Sequence, residues 1–572
     1  MKNKDAKIKV IANQVKANLI LAMLLVPVLI FGQGRNQEVT IIAPYQATIS
    51  DAFKLQLNPA VADSAVEMPR LDYSIQAEPY YTTFEVQPLD PVFIQVDPEE
   101  TLTRNYLRAG FGNYTMPYVE LFSNSLASDE FSLGFHARHL SSQGEIEDYA
   151  HSAFSHNRVG LYGKRYLKNR VLSAKVFYNR DVVHYYGYKP VDYTTVDLTE
   201  EQLKQRYSLL GLNTSLASNH KRNNKLNYDA ALSFYRLDDL YETSETFVGF
   251  DANINSQDDI FGFADQQELG VDFRAGYYHN SDSIDSQGNI LASLKPYVSF
   301  NLEYLDLTLG VEGAMAGDSA TEFYIYPAVR ASYQVIPDYL RFYAAASGGL
   351  QRNSFRKVTE ANPWANSIFP MGFTNTKYEI RAGITGRFDL LVDYNFSVSW
   401  SEVENMMFFI NDFYSSFSPE IPVVLGNKFT AVYDDVKLTT VRLEAGYEQI
   451  ERLDILFNAS YRNYQMSTEA EPWHKPALEA DILGEYFVTP DFSVSGQLFF
   501  QSQIYAKVLR EGELQIAKRG AYADINLGAE YRFNDRVSAF AQINNVAATR
   551  YFRWYNYPSQ RISAMGGLTF SF

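Results

Sequence analysis

The chain contains no cysteine. Disulfides, thiolate-held zinc, iron–sulfur clusters, thiol catalysis and a lipid-bearing N-terminal cysteine are excluded together. It also lacks an excess of positive charge. Lys and Arg number 50 against 67 Asp and Glu, for a formal net charge of −17 and an isoelectric point near 5.0. Such an acidic chain has no general affinity for nucleic acid, so no nucleic-acid partner is expected. After the first 33 residues no apolar run approaches the roughly 18 residues that a spanning helix needs. GxSxG, HExxH and P-loop signatures are missing too. No enzymatic activity, catalytic residue, metal or cofactor is expected.

What is plentiful is aromatic. The 572 residues hold 42 Tyr, 39 Phe and 4 Trp, 15% of the chain, yet the mean hydropathy is −0.24. Such ring loading in a chain that is not apolar overall requires surfaces where one side of an element meets grease and the other meets water.

Residues 1–33 read as a secretory signal peptide. Lys2, Lys4, Lys7, Lys9 and Lys16 form a positive leader, and Leu19–Phe31 is an apolar stretch too short to span and broken by Pro27. Residues 34–104 form a second region, with seven of the chain's 21 prolines (Pro44, Pro59, Pro69, Pro79, Pro88, Pro91 and Pro98). Proline removes a ladder donor and fixes φ, so an extended periplasmic or lumenal segment is expected there rather than a compact sheet.

From residue 105 to 572 the pattern becomes two-fold. Leu107, Ala109 and Phe111 alternate with Tyr106, Arg108, Gly110 and Gly112. Val441, Leu443, Ala445 and Tyr447 alternate with Arg442, Glu444, Gly446 and Glu448. Ala523, Ile525, Leu527, Ala529 and Tyr531 alternate with Asp524, Asn526, Gly528, Glu530 and Arg532. Period two with one apolar face is a half-buried strand. The links alternate as well. Tight ones, such as 167–170, 304–305, 489–491 and 534–536, interleave with long ones at 141–151, 185–204, 351–376, 406–435, 466–474 and 550–559. A soluble sandwich has no reason to keep that parity, whereas a membrane barrel has short turns at one end and long loops at the other. The expected fold is all-β: a transmembrane antiparallel barrel of about 22 strands in the outer membrane, with lipid as its partner and aromatic girdles at both membrane edges. The count rests most weakly on 254–265, a link too long for its place.

The last strands carry a family likeness. The run INNVAATRYFRWYNYP places Asn544–Asn545 at a strand end and Tyr551–Tyr557 in an aromatic loop, and RISAMGGLTFSF ends in Phe572. These features resemble the C-terminus of TonB-dependent outer-membrane receptors. Leu568, Phe570 and Phe572 also resemble the terminal signal read by the barrel-assembly machinery. Near the start, Glu38, Val39, Thr40, Ile41, Ile42, Ala43 and Pro44 resemble a TonB box, a β-prone segment that adds a strand to a partner's sheet. The resemblance implies a solute receptor or transporter that engages TonB or another periplasmic or outer-membrane protein. It breaks in between, because residues 34–104 are too few and too proline-rich for the family's plug domain. The alternative is a non-transporting barrel subunit of an outer-membrane or envelope-assembly complex.

Inward-facing charges of both signs (Arg108, Lys164, Lys175, Arg442, Glu444, Glu448, Glu530 and Arg532) read first as a hydrated lumen wall. The eight histidines read as ordinary polar residues. His136 and His139, three apart on a strand, point to opposite faces and cannot easily share a metal. In the link 406–435, Phe408, Phe409, Phe413, Tyr414 and Phe417 crowd together. This aromatic cluster is expected to extend a strand above the membrane, to fold in as a constriction, or to contact an external partner.

Overall fold

The computed structural model describes residues 104–572, apart from 126–127, 129, 194–196, 220–225, 259–266, 318–319, 390, 414–424, 450–451 and 511. The chain divides into two units, and all described residues belong to the one that contains 103–572. The signal-like run, the proline-rich segment and Glu38–Pro44 therefore lie outside the described residues, as do Tyr414 and Phe417.

Twenty-two strands form one antiparallel sheet. It closes on itself because the first strand, Asn105–Gly112, pairs both with the second, Met116–Asn124, and with the last, Ser563–Ser571. Closure leaves no unpaired strand edge, which is the condition for crossing a bilayer with strands. At the seam Ala109 stands opposite Leu568 and Leu107 opposite Phe570. Asn105 and Phe572 exchange both backbone hydrogen bonds, at 2.9 and 3.0 Å. The terminal triad is thus the half of the seam that the last strand supplies. Gly567 is needed there for close approach: a Cβ on it would lie 2.1 Å from the Ala109 carbonyl oxygen and 2.6 Å from the Gly110 Cα.

The alternation holds on both faces. Outward residues such as Leu161, Leu212, Leu232, Ile254, Leu294, Leu456 and Leu527 are exposed apolar side chains, and together they wrap the barrel in an apolar belt. Phe131, Tyr339, Phe388, Phe533 and Phe572 are exposed at the end that carries the short turns, where an interfacial girdle belongs. The opposite face is charged and cross-bonded. Arg108 packs its guanidinium 3.8 Å over the Phe540 ring and lies 3.8 Å from Glu530. Glu120 takes Tyr118 at 2.6 Å and His136 at 3.1 Å, Arg158 and His156 both meet Asp181 at 2.7 Å, and Arg462 meets Glu479 at 2.6 Å. These pairs neutralise a hydrated wall strand by strand. His139 instead bonds Asn157 at 2.7 Å, on the other face from His136.

In the link 406–435, for which the sequence left a strand extension open as one of three alternatives, the described residues 406–411 and 429–435 are strand. Val392–Asn411 and Phe429–Gln449 run for 20 and 21 residues, with a register shift between Val403 and Met406. Phe408 pairs with Val432 and Phe409 with Ala431. Above the shift both faces are covered by protein, so the alternation gives way to the continuous apolar run MMFFI, which reads as a loop only when a lipid face is assumed. The region between Gln501 and Tyr522, not singled out from sequence, folds as a hairpin of its own, Ile504–Arg510 against Glu513–Arg519. The girdle also accounts for only part of the aromatic excess, since many rings, among them Tyr185, Tyr207, Tyr326 and Tyr557, are buried.

Candidate functional site at the barrel mouth

The long links converge on one core at the loop end. Ile146 comes from the link 143–153, and Tyr185, Tyr186, Tyr188 and Leu203 from 185–203. Val358, Ala365 and Phe369 come from 353–372, Phe409, Leu425 and Phe429 from the next pair of strands and their link, and Tyr557 from the last link. Polar bonds tie the same links together. The Tyr185 hydroxyl donates to the Ala365 carbonyl at 3.1 Å and the Tyr186 hydroxyl to Pro558 at 2.9 Å. The Trp364 Nε1–H donates to the His184 carbonyl at 3.0 Å, and the Tyr557 hydroxyl donates to Asn427. A loop core of this kind is a lid with its own hydrophobic interior.

One link goes further and enters the lumen. Phe355–Ala361 is a short helix whose Phe355 is fully buried against Val183, Tyr207, Leu209, Tyr235 and Leu237. Those strand residues alternate with the exposed Leu210, Leu212, Leu232 and Phe234, so they face inward. The helix is held from below by Glu245. This fully buried carboxylate accepts the Phe355 N–H at 2.7 Å, the Arg356 N–H at 3.2 Å, the Tyr235 hydroxyl at 2.7 Å and the Asn280 amide at 2.7 Å. An anion at the first turn also answers the helix dipole. Beside it, Gln205, fully buried, donates to Asp239 at 3.1 Å and to Ser367 at 3.1 Å. Lys428 lies over the Tyr185 and Tyr241 rings at 5.0 and 5.3 Å, and burial pushes its amine down to about 8 despite the nearby Asp412 and Asp239.

A second layer joins the remaining links. Phe408, Ile410, Val436, Leu438 and Trp473 form a buried cluster with Tyr505 of the hairpin packed on it. Asp434 receives backbone donors from Thr468 at 3.0 Å and Glu469 at 2.9 Å, which fixes the link 467–477. His474 bridges onward: its Nδ1–H donates to the Phe409 carbonyl at 2.9 Å and its Nε2 accepts the Tyr555 N–H at 3.4 Å. Of the aromatic cluster singled out in the sequence, Phe408 and Phe409 therefore face the two buried layers and offer no free surface, while Phe413 packs at the edge of the second one.

A cavity of about 430 Å³ opens among these links. Tyr149, Tyr188, Tyr193, Phe552 and Tyr555 supply rings, and Lys189, Arg510 and Arg519 supply charge against a single lining carboxylate, Asp192. The Arg519 guanidinium lies 4.4 Å from the Phe552 ring and 4.5 Å from the Tyr555 ring, and its buried Nε has no hydrogen-bond partner. Burial raises Tyr149, Tyr188 and Tyr193 above the ordinary phenol value, so near neutral pH they are hydroxyl donors. The wall suits an anionic ligand that carries rings. Sequence reasoning missed this cavity because its residues come from five links and share no spacing.

A closed barrel with an apolar outer belt and a charged lumen is a transmembrane β-barrel, the architecture of the outer membrane. The solved structures bear this out at the level of fold. The pyoverdine outer membrane receptor FpvA from Pseudomonas aeruginosa PAO1 superposes with a TM-score of 0.61 at 12% identity, over 82% of this chain and 78% of its own. The ferric-catecholate import receptor Fiu from K12 E. coli gives 0.61 at 9%, over 82% of each chain. The siderophore receptor PirA from Acinetobacter baumannii gives 0.61 at 10%, over 82% and 80%. The barrel thus has the fold of the TonB-dependent receptors that its last strands resemble. No family model matches the sequence, and no curated protein matches it.

Proposed function

We propose that the protein is an outer-membrane receptor for an anionic, ring-bearing solute, which it binds at the loop end and passes through the barrel when the loops withdraw. The observation that carries this reading is the cavity lined by tyrosines, Arg510 and Arg519, set among the loops whose core covers a charged lumen. Siderophore and pyoverdine receptors with the same barrel support it, since ferric chelates of that kind combine rings with negative charge. Glu38–Pro44 is the proposed contact for TonB, and residues 34–104 are proposed to act as a periplasmic or lumenal segment rather than as a plug domain.

The test is titration of the purified chain with an anionic ferric catecholate, with a neutral aromatic of similar size as control. Binding of the chelate alone, weakened at least tenfold by Arg519→Ala, is expected. Deleting residues 38–44 should leave that binding intact and abolish energised uptake in cells. A chain that binds no chelate, and that comes out of mild detergent with a stoichiometric protein partner, would be the non-transporting subunit instead.

A further inference from the structure

Three side chains, two from neighbouring links and one from the end of a strand between them, meet beside the cavity without a shared explanation. His184 closes the strand Arg170–His184 and is buried, with 5% of its surface exposed. Its Nδ1–H donates to the Ala153 carbonyl at 2.6 Å. The proton is thereby fixed on Nδ1, and Nε2 is left as a bare lone pair that finds no hydrogen-bond partner. The His151 ring stands edge-on to it, with centroids 4.7 Å apart. His151 Nε2 is likewise buried without a hydrogen bond, although Glu200 Oε1 lies 3.0 Å away, which makes this a charge contact out of line for hydrogen bonding. The same carboxylate oxygen is 4.0 Å from His184 Nε2, and the three ligand atoms lie within 4.8 Å of one another.

We propose that His151, His184 and Glu200 bind one divalent transition-metal ion of the zinc class, which clasps the link 143–153 to the link 185–203. Two imidazole nitrogens and one carboxylate are a standard donor set for such an ion, at about 2.0–2.2 Å from each ligand, with water free to take the fourth position. A backbone carbonyl on the far nitrogen of a ligating histidine is the usual second layer of such sites, and Ala153 supplies it. An ion would also satisfy the two buried nitrogens that are otherwise orphaned, which is the feature an ordinary loop histidine lacks. Glu200 is exposed, so its carboxylate is free to turn toward the two imidazole nitrogens. Its place is fixed by the preceding Thr199 and by Gln202, which together cap the short helix Glu200–Leu203. The hard cations calcium and magnesium are disfavoured, because they require oxygen ligands. The two clasped links carry Tyr149, Tyr188 and Lys189, so the ion would set the spacing of one wall of the cavity.

The experiment uses the full, tag-free chain in detergent, stripped with chelator and titrated with Zn²⁺, with Mg²⁺ as control. One Zn²⁺ per chain and no Mg²⁺ response are expected. His151→Ala and His184→Ala should each weaken Zn²⁺ binding at least tenfold, and so should Glu200→Gln, whose exposed position leaves folding undisturbed. In the same preparations Zn²⁺ should slow protease cleavage within 143–153 and 185–203 in the wild type and not in Glu200→Gln. No stoichiometric Zn²⁺, or binding that survives the Glu200 and His151 substitutions unchanged, overturns the proposal. Because both readouts are independent of any solute, failure here would leave the receptor reading standing, and failure to bind a ferric chelate would leave the clasp standing.

Discussion

Single residues in the lid decide how it responds to pH. His474 works only as a neutral ring, giving a proton to the Phe409 carbonyl and taking one from the Tyr555 N–H. Burial holds its imidazole down to about 4, against an ordinary value of 6.5. When the lid opens, the ring regains its ordinary affinity for protons, so acid favours the open form. The stabilisation is complete above pH 6.5, fades as the pH falls toward 4 and is gone below it. Its full size is about 3 kcal/mol at roughly 1.4 kcal/mol per unit. Lys428 acts in the same sense in a higher window: its buried amine stabilises the closed lid fully above 10.5 and progressively less down to about 8. Between pH 6.5 and 8 neither group titrates, so lid stability should be flat there. Amide exchange of residues 545–562, followed from pH 8 to 4 and corrected for intrinsic rates, should rise only below 6.5. The same rise in His474→Phe would show that another group is responsible.

At the scale of elements, the helix Phe355–Ala361 is the least self-sufficient part of the mouth. Seven residues cannot hold a helix in water, since nucleation is costly and propagation short. Its stability comes from Phe355 in an apolar pocket and from the donors gathered on Glu245. Glu245→Ala would orphan two backbone N–H groups, the Tyr235 hydroxyl and the Asn280 amide, at a cost on the order of 3 kcal/mol, most of it confined to this link. Limited proteolysis should then cut within 353–372 while the barrel stays folded, and Glu245→Gln, which keeps two acceptor sites' worth of one oxygen, should be cut more slowly. Equal resistance of wild type and Glu245→Ala would mean that packing of Phe355 alone holds the helix. None of this was legible in the sequence, whereas the strands were. Alternation and the parity of short and long links are local features that every strand repeats, and they led to a closed barrel of the right size. The lid rests on contacts such as Tyr186 to Pro558, 372 positions apart, for which no period exists. The same holds for the proposed metal site, where His151, His184 and Glu200 are far apart in sequence and the histidines read as ordinary loop residues. Phe408 and Phe409 were noticed for their crowding, but the sequence could not choose between an extended strand, an infolded constriction and an external contact, because a run buried on both faces has no alternation to read.

For the whole molecule, the decisive relation is between a wide polar lumen and a mouth closed by loops. A 22-strand barrel is wide enough for an aqueous path and needs something to fill or cover it. Here the lumen wall is lined by ion pairs such as Arg462–Glu479 and Arg158–Asp181, which suit water and not a packed core. Among the described residues, those of the lid are the ones that cover the loop end, and the inward link 353–372 is the part of it that enters the lumen. A resting barrel in a planar bilayer should then be silent or pass only rare, brief openings. Replacing residues 354–371 with a short Gly–Ser turn removes the helix and its anchor but leaves the strands Leu340–Arg352 and Phe373–Phe388 paired, because their register runs from Arg341–Thr385 to Arg352–Phe373. The shortened protein should conduct in long steps at every voltage at which the wild type is closed. Glu245→Ala, which loosens the same link without deleting it, should fall between the two, with frequent openings of the same size. If the shortened protein is as silent as the wild type, the path is blocked below the mouth and the loops act on solute binding alone. If the wild type already conducts steadily, the lid is no barrier to ions and the barrel is an open pore at rest.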